Sequence, residues 1–223
     1  MEAVIKVGGS IAAHPDALRT LCKKLSEIAK KHRLLVVPGG GEFADVVRGI
    51  EKRFASSAYV SHKMAVLGMD QFGLLLSELI PNAIATASLE KTKDYWKSET
   101  TPVFLPSKMM FREEPMEASW DVTSDSIAAF VALRVKADTV ILAKDVDGIF
   151  SGDPKKDSEA KLIKEISASA LSKLRGETAV DRYLPRLLRG KSLDCYVVNG
   201  LYPERIMQVL NGEETICTLV ASK

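Results

Sequence analysis

Ala3-Val4-Ile5-Lys6-Val7-Gly8-Gly9-Ser10 and Leu34-Leu35-Val36-Val37-Pro38-Gly39-Gly40-Gly41 are two aliphatic runs that each stop in glycine. Runs of this length, rich in Val and Ile and closed by turn residues, predict strands at Ala3 to Val7 and Leu34 to Pro38. Between them Leu18, Leu21, Leu25 and Ile28 recur at helical spacing behind Asp16, a candidate cap. Strand, helix and strand make a βαβ unit, which commits the two strands to a parallel sheet.

The same alternation continues outward. Further strands are predicted at Ala83 to Ala87, Pro102 to Leu105, Thr139 to Ala143, Cys195 to Val198 and Thr215 to Val220. A second helix follows the triple glycine, with Phe43, Val46, Val47, Ile50 and Phe54 on one face, and a third runs from about His62 to Leu79. Thr123-Ser124-Asp125 precedes Ile127, Ala128, Val131 and Val135 and reads as a loop feeding a helix N-terminus. Lys144 to Glu159 is a long turn-rich stretch, broken by Asp147-Gly148 and Asp153-Pro154. The expected fold is α/β, a three-layer αβα sandwich with a mostly parallel central sheet and one domain over residues 1–223.

Composition narrows the partners. A net charge of +2 makes no broad basic field, which argues against nucleic acid and leaves small anions open. Cys22, Cys195 and Cys217 are far apart, without the spacing of a zinc or redox pair, and read as free thiols. The start has no basic and apolar leader, and no apolar run reaches the ~18 residues of a membrane span. A soluble, cytoplasmic protein is expected.

The chemistry concentrates at the glycines. Lys6 with Gly8, Gly9 and Ser10 sets a cation before backbone that an anion can approach closely. Gly39, Gly40 and Gly41 run straight into a helix, whose N-terminal amides favour a negative group. Either loop alone is also compatible with an ordinary strand-to-helix turn. Neither fits the GxxxxGK[ST] loop or the GxGxxG fingerprint, which removes two large nucleotide-binding classes.

The order Lys6-Val7-Gly8-Gly9-Ser10, Pro38-Gly39-Gly40-Gly41, Thr123-Ser124-Asp125, then Lys144-Asp145-Val146-Asp147-Gly148-Ile149-Phe150 with Asp153-Pro154 resembles the amino acid kinase superfamily. The resemblance covers nearly the whole chain and implies an ATP-dependent kinase with Mg2+ carried by the nucleotide. It implies an acceptor-binding half over about 1–136 and a nucleotide-binding half over about 137–223. It gives Lys6 contact with the transferred phosphoryl group and Asp125 the orienting of catalytic cations. Gly8, Gly9, Ser10, Lys144, Asp145, Asp147, Gly148, Phe150 and Asp153 fall to the nucleotide, and Gly39, Gly40 and Gly41 to the acceptor. Residue by residue, a helix cap at Asp125 and a solvated turn at Asp145 to Asp153 are the plainer alternatives.

The chain departs from that family where many members carry a second catalytic lysine. The matching run here reads Asp181-Arg182-Tyr183-Leu184-Pro185-Arg186, and Arg186 is the positional substitute, with Arg182 or Arg189 as alternatives. On the acceptor side Asp45, Arg48, His62 and Asp70 are polar residues that core packing does not explain. That region and the ending Val197-Val198-Asn199-Gly200 resemble the methanofuran-biosynthesis branch. Its acceptor is an aminomethylfuranyl-methyl phosphate, converted to the diphosphate. An amine suits Asp45 or Asp70, and a phosphate suits Arg48 or Lys63. Other acceptors served by the same scaffold are carboxylates, carbamates, nucleoside monophosphates and isopentenyl phosphate, and a non-catalytic nucleotide-binding protein is the remaining class. The family resemblance also implies a homo-oligomer, and the apolar faces of the helices near residues 43–54 and 62–79 could pair between subunits.

Overall fold

The computed structural model describes all residues except Met1, Lys155, Ser158, Arg175, Glu177 and Lys223. In chain order the elements are β1 (Glu2–Val7), α1 (Pro15–Ala29), β2 (Arg33–Pro38), α2 (Gly41–Phe54), α3 (Ala58–Leu79), β3 (Ala83–Thr86), α4 (Thr92–Lys97), β4 (Thr101–Phe104) and α5 (Ser107–Glu113). They continue with α6 (Ser124–Val135), β5 (Thr139–Lys144), β6 (Glu165–Ser167), α7 (Ala168–Leu171), α8 (Leu184–Leu188), β7 (Asp194–Asn199), α9 (Glu204–Asn211) and β8 (Cys217–Ala221). One sheet holds the eight strands in the order β3-β4-β2-β1-β5-β7-β8-β6. Every pairing is parallel except β7 with β8. Helices cover both faces, so the expected three-layer αβα sandwich is the observed one.

Chain order reverses at β1, which has β2 on one side and β5 on the other. Loops after these strands diverge there, and such a switch point is where open α/β sheets take their ligands. The register is fixed by alternation. Ala3, Ile5 and Val7 of β1, with Ile141 and Ala143 of β5, pack into the core beneath α1, α3 and α9. Val4, Val140 and Leu142 pack into the opposite core, against α5, α6 and α8. With a period of two, Lys6 and Lys144 share that second face with α6.

Three expectations are adjusted. The third helix begins earlier than expected, at Ala58, because the Ser57 hydroxyl accepts from Val60 N–H and caps it. The strand β6 was not anticipated, since three residues with one buried side chain, Ile166, show no alternation. On α2 only Val47 is buried, while Phe43, Val46 and Phe54 are exposed. The apolar face read there therefore does not belong to this chain's own core. Among the described residues no helix is long and apolar enough to cross a membrane.

The two glycine loops lock into each other, backbone against backbone. A Cβ on Gly9 would stand 2.1 Å from the Gly41 nitrogen, and one on Gly39 2.6 Å from the Gly9 nitrogen. Gly41 also holds φ +52, a conformation that side chains disfavour. No flexible side chain can give way here. Gly9→Ala is therefore expected to cost about 2 kcal/mol or more, at the upper end of overpacking effects. Gly49→Ala meets nothing within 4 Å on exposed α2 and should instead stabilise by about 0.5–1 kcal/mol. Urea unfolding of both variants checks this pair of opposite signs.

Candidate active site

The alternation that sends Lys6 and Lys144 toward α6 brings both to one carboxylate. Lys6 Nζ lies 3.0 Å from Asp125 Oδ1, and Lys144 Nζ lies 2.7 Å from Asp125 Oδ2. Lys6 and Asp125 are 5% and 2% exposed and Lys144 is half-buried, so a buried carboxylate meets two cations at the edge of the core. Burial alone pushes the Asp125 carboxyl upward, but the Lys144 and Lys6 ammonium groups outweigh it and hold the carboxyl at about 2. Burial pulls the Lys6 ammonium below its ordinary value, aided by Lys144 and opposed by Asp125. Asp125 thus stays ionised across the neutral range and has almost no basicity. Its chemistry is to hold two ammonium groups together.

A second aspartate holds Asp125. The Thr123 hydroxyl caps α6 by accepting from Asp125 N–H at 3.4 Å. Beyond it, the Asp181 carboxylate accepts from Thr123 N–H and Oγ1–H, from Ser126 N–H and Oγ–H, and from Leu184 N–H, at 2.5–3.0 Å. The Asp181 backbone N–H donates to Asp125 Oδ2 at 3.2 Å. Burial and the nearby Asp125 charge push the Asp181 carboxyl up, and these donors pull it back. Sequence reasoning missed Asp181; the signal was an acidic residue opening the run searched for a second lysine.

From the lysines a cavity of about 600 Å³ extends toward α2 and α3. Lys6, Gly9, Ser10, Lys144 and Asp145 line one end, with the Ser10 hydroxyl donating to Asp145 at 2.9 Å. Gly40 and Gly41 line it beside Gly9, and Asp45, Arg48, His62 and Trp120 line the side toward α2 and α3. Arg48 pairs with Asp45 at 3.1 Å. His62 Nδ1–H donates to the Ser119 carbonyl at 3.3 Å, which leaves Nε2 as the acceptor of a neutral ring. Burial holds His62 below its ordinary value against the effect of that carbonyl. Another cavity, of about 530 Å³, lies among α4, α5 and α6 and does not reach the lysines.

The remaining expected site residues are placed as follows. Gly8 binds the sheet through its N–H to Ala143 O at 2.8 Å, and Gly39 does so through Val7 O. Asp70 does not line the cavity: its carboxylate accepts from Ser107 N–H and hydroxyl and fixes the start of α5. Asp147 accepts from Asn199 and Arg205, Gly148 packs against Thr218, and Phe150 bridges to Leu162. These three and Asp153 lie outside the cavity lining. Arg186 is exposed on α8, its guanidinium 5.3 Å from the Tyr183 ring centroid, and it is not brought to Asp125. The second cation facing Asp125 is Lys144, because a strand end aims a side chain at α6 and the exposed side of α8 does not.

The model of the amino acid kinase family matches residues 1–199. A (5-(aminomethyl)furan-3-yl)methyl phosphate kinase of Methanocaldococcus jannaschii is 37% identical over 219 residues, 97% of this chain and 96% of that protein. A uridylate kinase of Archaeoglobus fulgidus is 26% identical over 231 residues, 99% and 100% of the two chains. The crystal structure of uridylate kinase from Archaeoglobus fulgidus superposes with a TM-score of 0.78 at 25% identity, over 99% and 100% of the chains. That of UMP kinase from Ureaplasma parvum, at 20% identity, shares the fold with a TM-score of 0.73 over 99% and 98%.

The buried cluster predicts a pH signature. Asp125 sits below its ordinary 3.8 at about 2, so its stabilising contribution is complete above the ordinary value and is lost as pH falls toward 2. Asp125→Asn leaves the buried Lys6 and the half-buried Lys144 without the carboxylate between them and should lose about 3 kcal/mol at pH 7, the low end for breaking a buried pair. The gap between wild type and variant should narrow between pH 4 and pH 2 in denaturant titrations; a gap independent of pH overturns the assignment.

Proposed function

The chain belongs to the amino acid kinase family, and from that premise we propose that it is a kinase transferring the γ-phosphoryl group of ATP to a small phosphate monoester, converting it to a diphosphate. The acceptor we propose is aminomethylfuranyl-methyl phosphate, the compound named for the Methanocaldococcus jannaschii relative. The observation that carries the reading is the Lys6–Asp125–Lys144 cluster opening into a cavity whose far end holds Arg48.

Phosphoryl transfer asks a protein mainly for position and for positive charge around the equatorial oxygens. Lys6 and Lys144 supply that charge, and Asp125 keeps the ammonium groups from repelling each other apart. Backbone at Gly9 and Gly41 and the N-terminus of α2 add N–H dipoles between the two cationic ends. An oxygen of the acceptor phosphate bonds to the γ-phosphorus as the bond to the bridging oxygen of ADP breaks. Mg2+, carried by the nucleotide, neutralises charge on its phosphates. Arg48 is the phosphate partner at the acceptor end and Asp45 the partner for an ammonium, Asp70 being committed to α5. The nucleotide falls to the half after about residue 137, including the loop from Asp145.

Uridine monophosphate is the second acceptor, favoured by the uridylate kinases among the relatives; it is a phosphate monoester read by the same cationic end. We also propose a cytoplasmic homo-oligomer, since α2 and α3 leave Phe43, Val46, Phe54, Leu67, Leu74 and Leu75 exposed. Leu74→Glu with Leu75→Glu should then lower the mass found by sedimentation.

Incubation with ATP, Mg2+ and the furan phosphate should release ADP and yield the diphosphate by mass spectrometry; a folded protein that gives neither sinks the reading. Lys6→Ala should lower kcat by about 100- to 1,000-fold, the range for loss of one transition-state charge partner. ATP affinity should fall far less. Equal losses in kcat and in ATP binding would remove Lys6 from the chemical step.

A further inference from the structure

The chain has two tryptophans, and they are used differently. Trp96 packs against the apolar core and donates its indole N–H to the Leu34 carbonyl at 2.6 Å. Trp120 belongs to neither core and lines the acceptor end of the cavity. An indole is among the largest apolar surfaces a chain can bury, so leaving it on a cavity wall forgoes that burial.

Its ring is nevertheless fixed on two sides. The Arg48 guanidinium lies 4.3 Å from the ring centroid, and the indole N–H donates to Glu51 at 2.5 Å. The chain on either side is tied down as well. Ser119 is held by His62, Asp121 O accepts from Tyr183 N–H at 3.1 Å, and Val122 is 2% exposed. The face is therefore preorganised before anything binds, which lowers the entropic cost of binding against it. Val66, Met69 and Ile127 line the same cavity and add apolar surface to it, while Arg48 both meets the indole and lines that cavity.

Resting on the kinase reading above, we propose that Trp120 determines acceptor specificity by packing against a planar aromatic ring carried by the phosphate monoester. Arg48 and Trp120 then read the phosphate and the ring as one stacked unit. An alkyl phosphate satisfies the first and brings no ring to the indole, which keeps only its Arg48 contact.

The test compares the furan phosphate with an alkyl phosphate of similar length in wild type, Trp120→Ala and Trp120→Phe. The ratio of kcat/KM for ring over alkyl acceptor should fall about tenfold in the alanine variant and recover most of that with phenylalanine. Equal loss on both acceptors, or no loss, overturns the proposal, since a merely structural tryptophan does not change a ratio. Intrinsic emission supplies a readout without turnover. Adding the furan phosphate in the absence of ATP should alter emission in wild type and not in Trp120→Phe. If emission responds but no ADP forms, the kinase reading fails and the Trp120 assignment stands. If ADP forms while the ratio stays constant across the variants, the Trp120 assignment fails and the kinase reading stands.

Discussion

Two ammonium groups buried against one carboxylate set the terms for the rest of this structure. Like charges this close repel strongly, and burial pulls the Lys6 ammonium below its ordinary value, so Asp125 between the two lysines is what holds them together. The cluster therefore requires three elements in register at once: Lys6 on β1, Lys144 at the end of β5, and Asp125 in the first turn of α6. A slip of one residue in either strand sends its lysine into the opposite core, among Ile5, Ile141 and Ala143. Core alternation and charge placement thus select the same register.

The interlocked glycines are the second constraint, and they revise the simplest reading of the sequence. Three consecutive glycines before α2 suggest close ligand approach. Gly40 and Gly41 do line the cavity, but Gly9, Gly39 and Gly41 first exclude side chains from one another. Backbone contact between the loops brings the start of α2 toward Lys6. Ligand approach is then a consequence of packing that already forbids a Cβ.

Much of this was legible in the sequence, and the misses have physical causes. Seven of the strands could be placed because alternation or a closed aliphatic run marked each; β6 carries only Ile166 as a signal. Lys6 and Asp125 were found from their neighbours, a glycine loop and a capping run. Order along the chain points to Arg186 for a second cation, whereas strand β5 ends with Lys144 at Asp125. Strand pairing decides between them, and pairing is not written locally. Asp70 and Asp181 show the converse: both are half-buried acids, and only the hydrogen bonds separate one that starts α5 from one that braces Asp125. Trp120 lies in an irregular segment, where no periodicity says which way a ring faces.

The basicity of the site bears on which acceptors suit it. A hydroxyl acceptor must lose a proton as it attacks, and an enzyme for such a substrate needs a base near neutrality. Asp125, held at about 2 by its two lysines, cannot take that proton. His62 is available only through Nε2, and burial weakens it as a base. A phosphate monoester raises no such demand, because its second ionisation lies near pH ~6 and its oxygens are already anionic at neutrality. What it needs instead is charge to bring two anions together, and the cavity has lysines at one end and Arg48 at the other. Asp125 and His62 thus offer an alcohol no strong base, and the Lys6, Lys144 and Arg48 cations suit the phosphate acceptor proposed above.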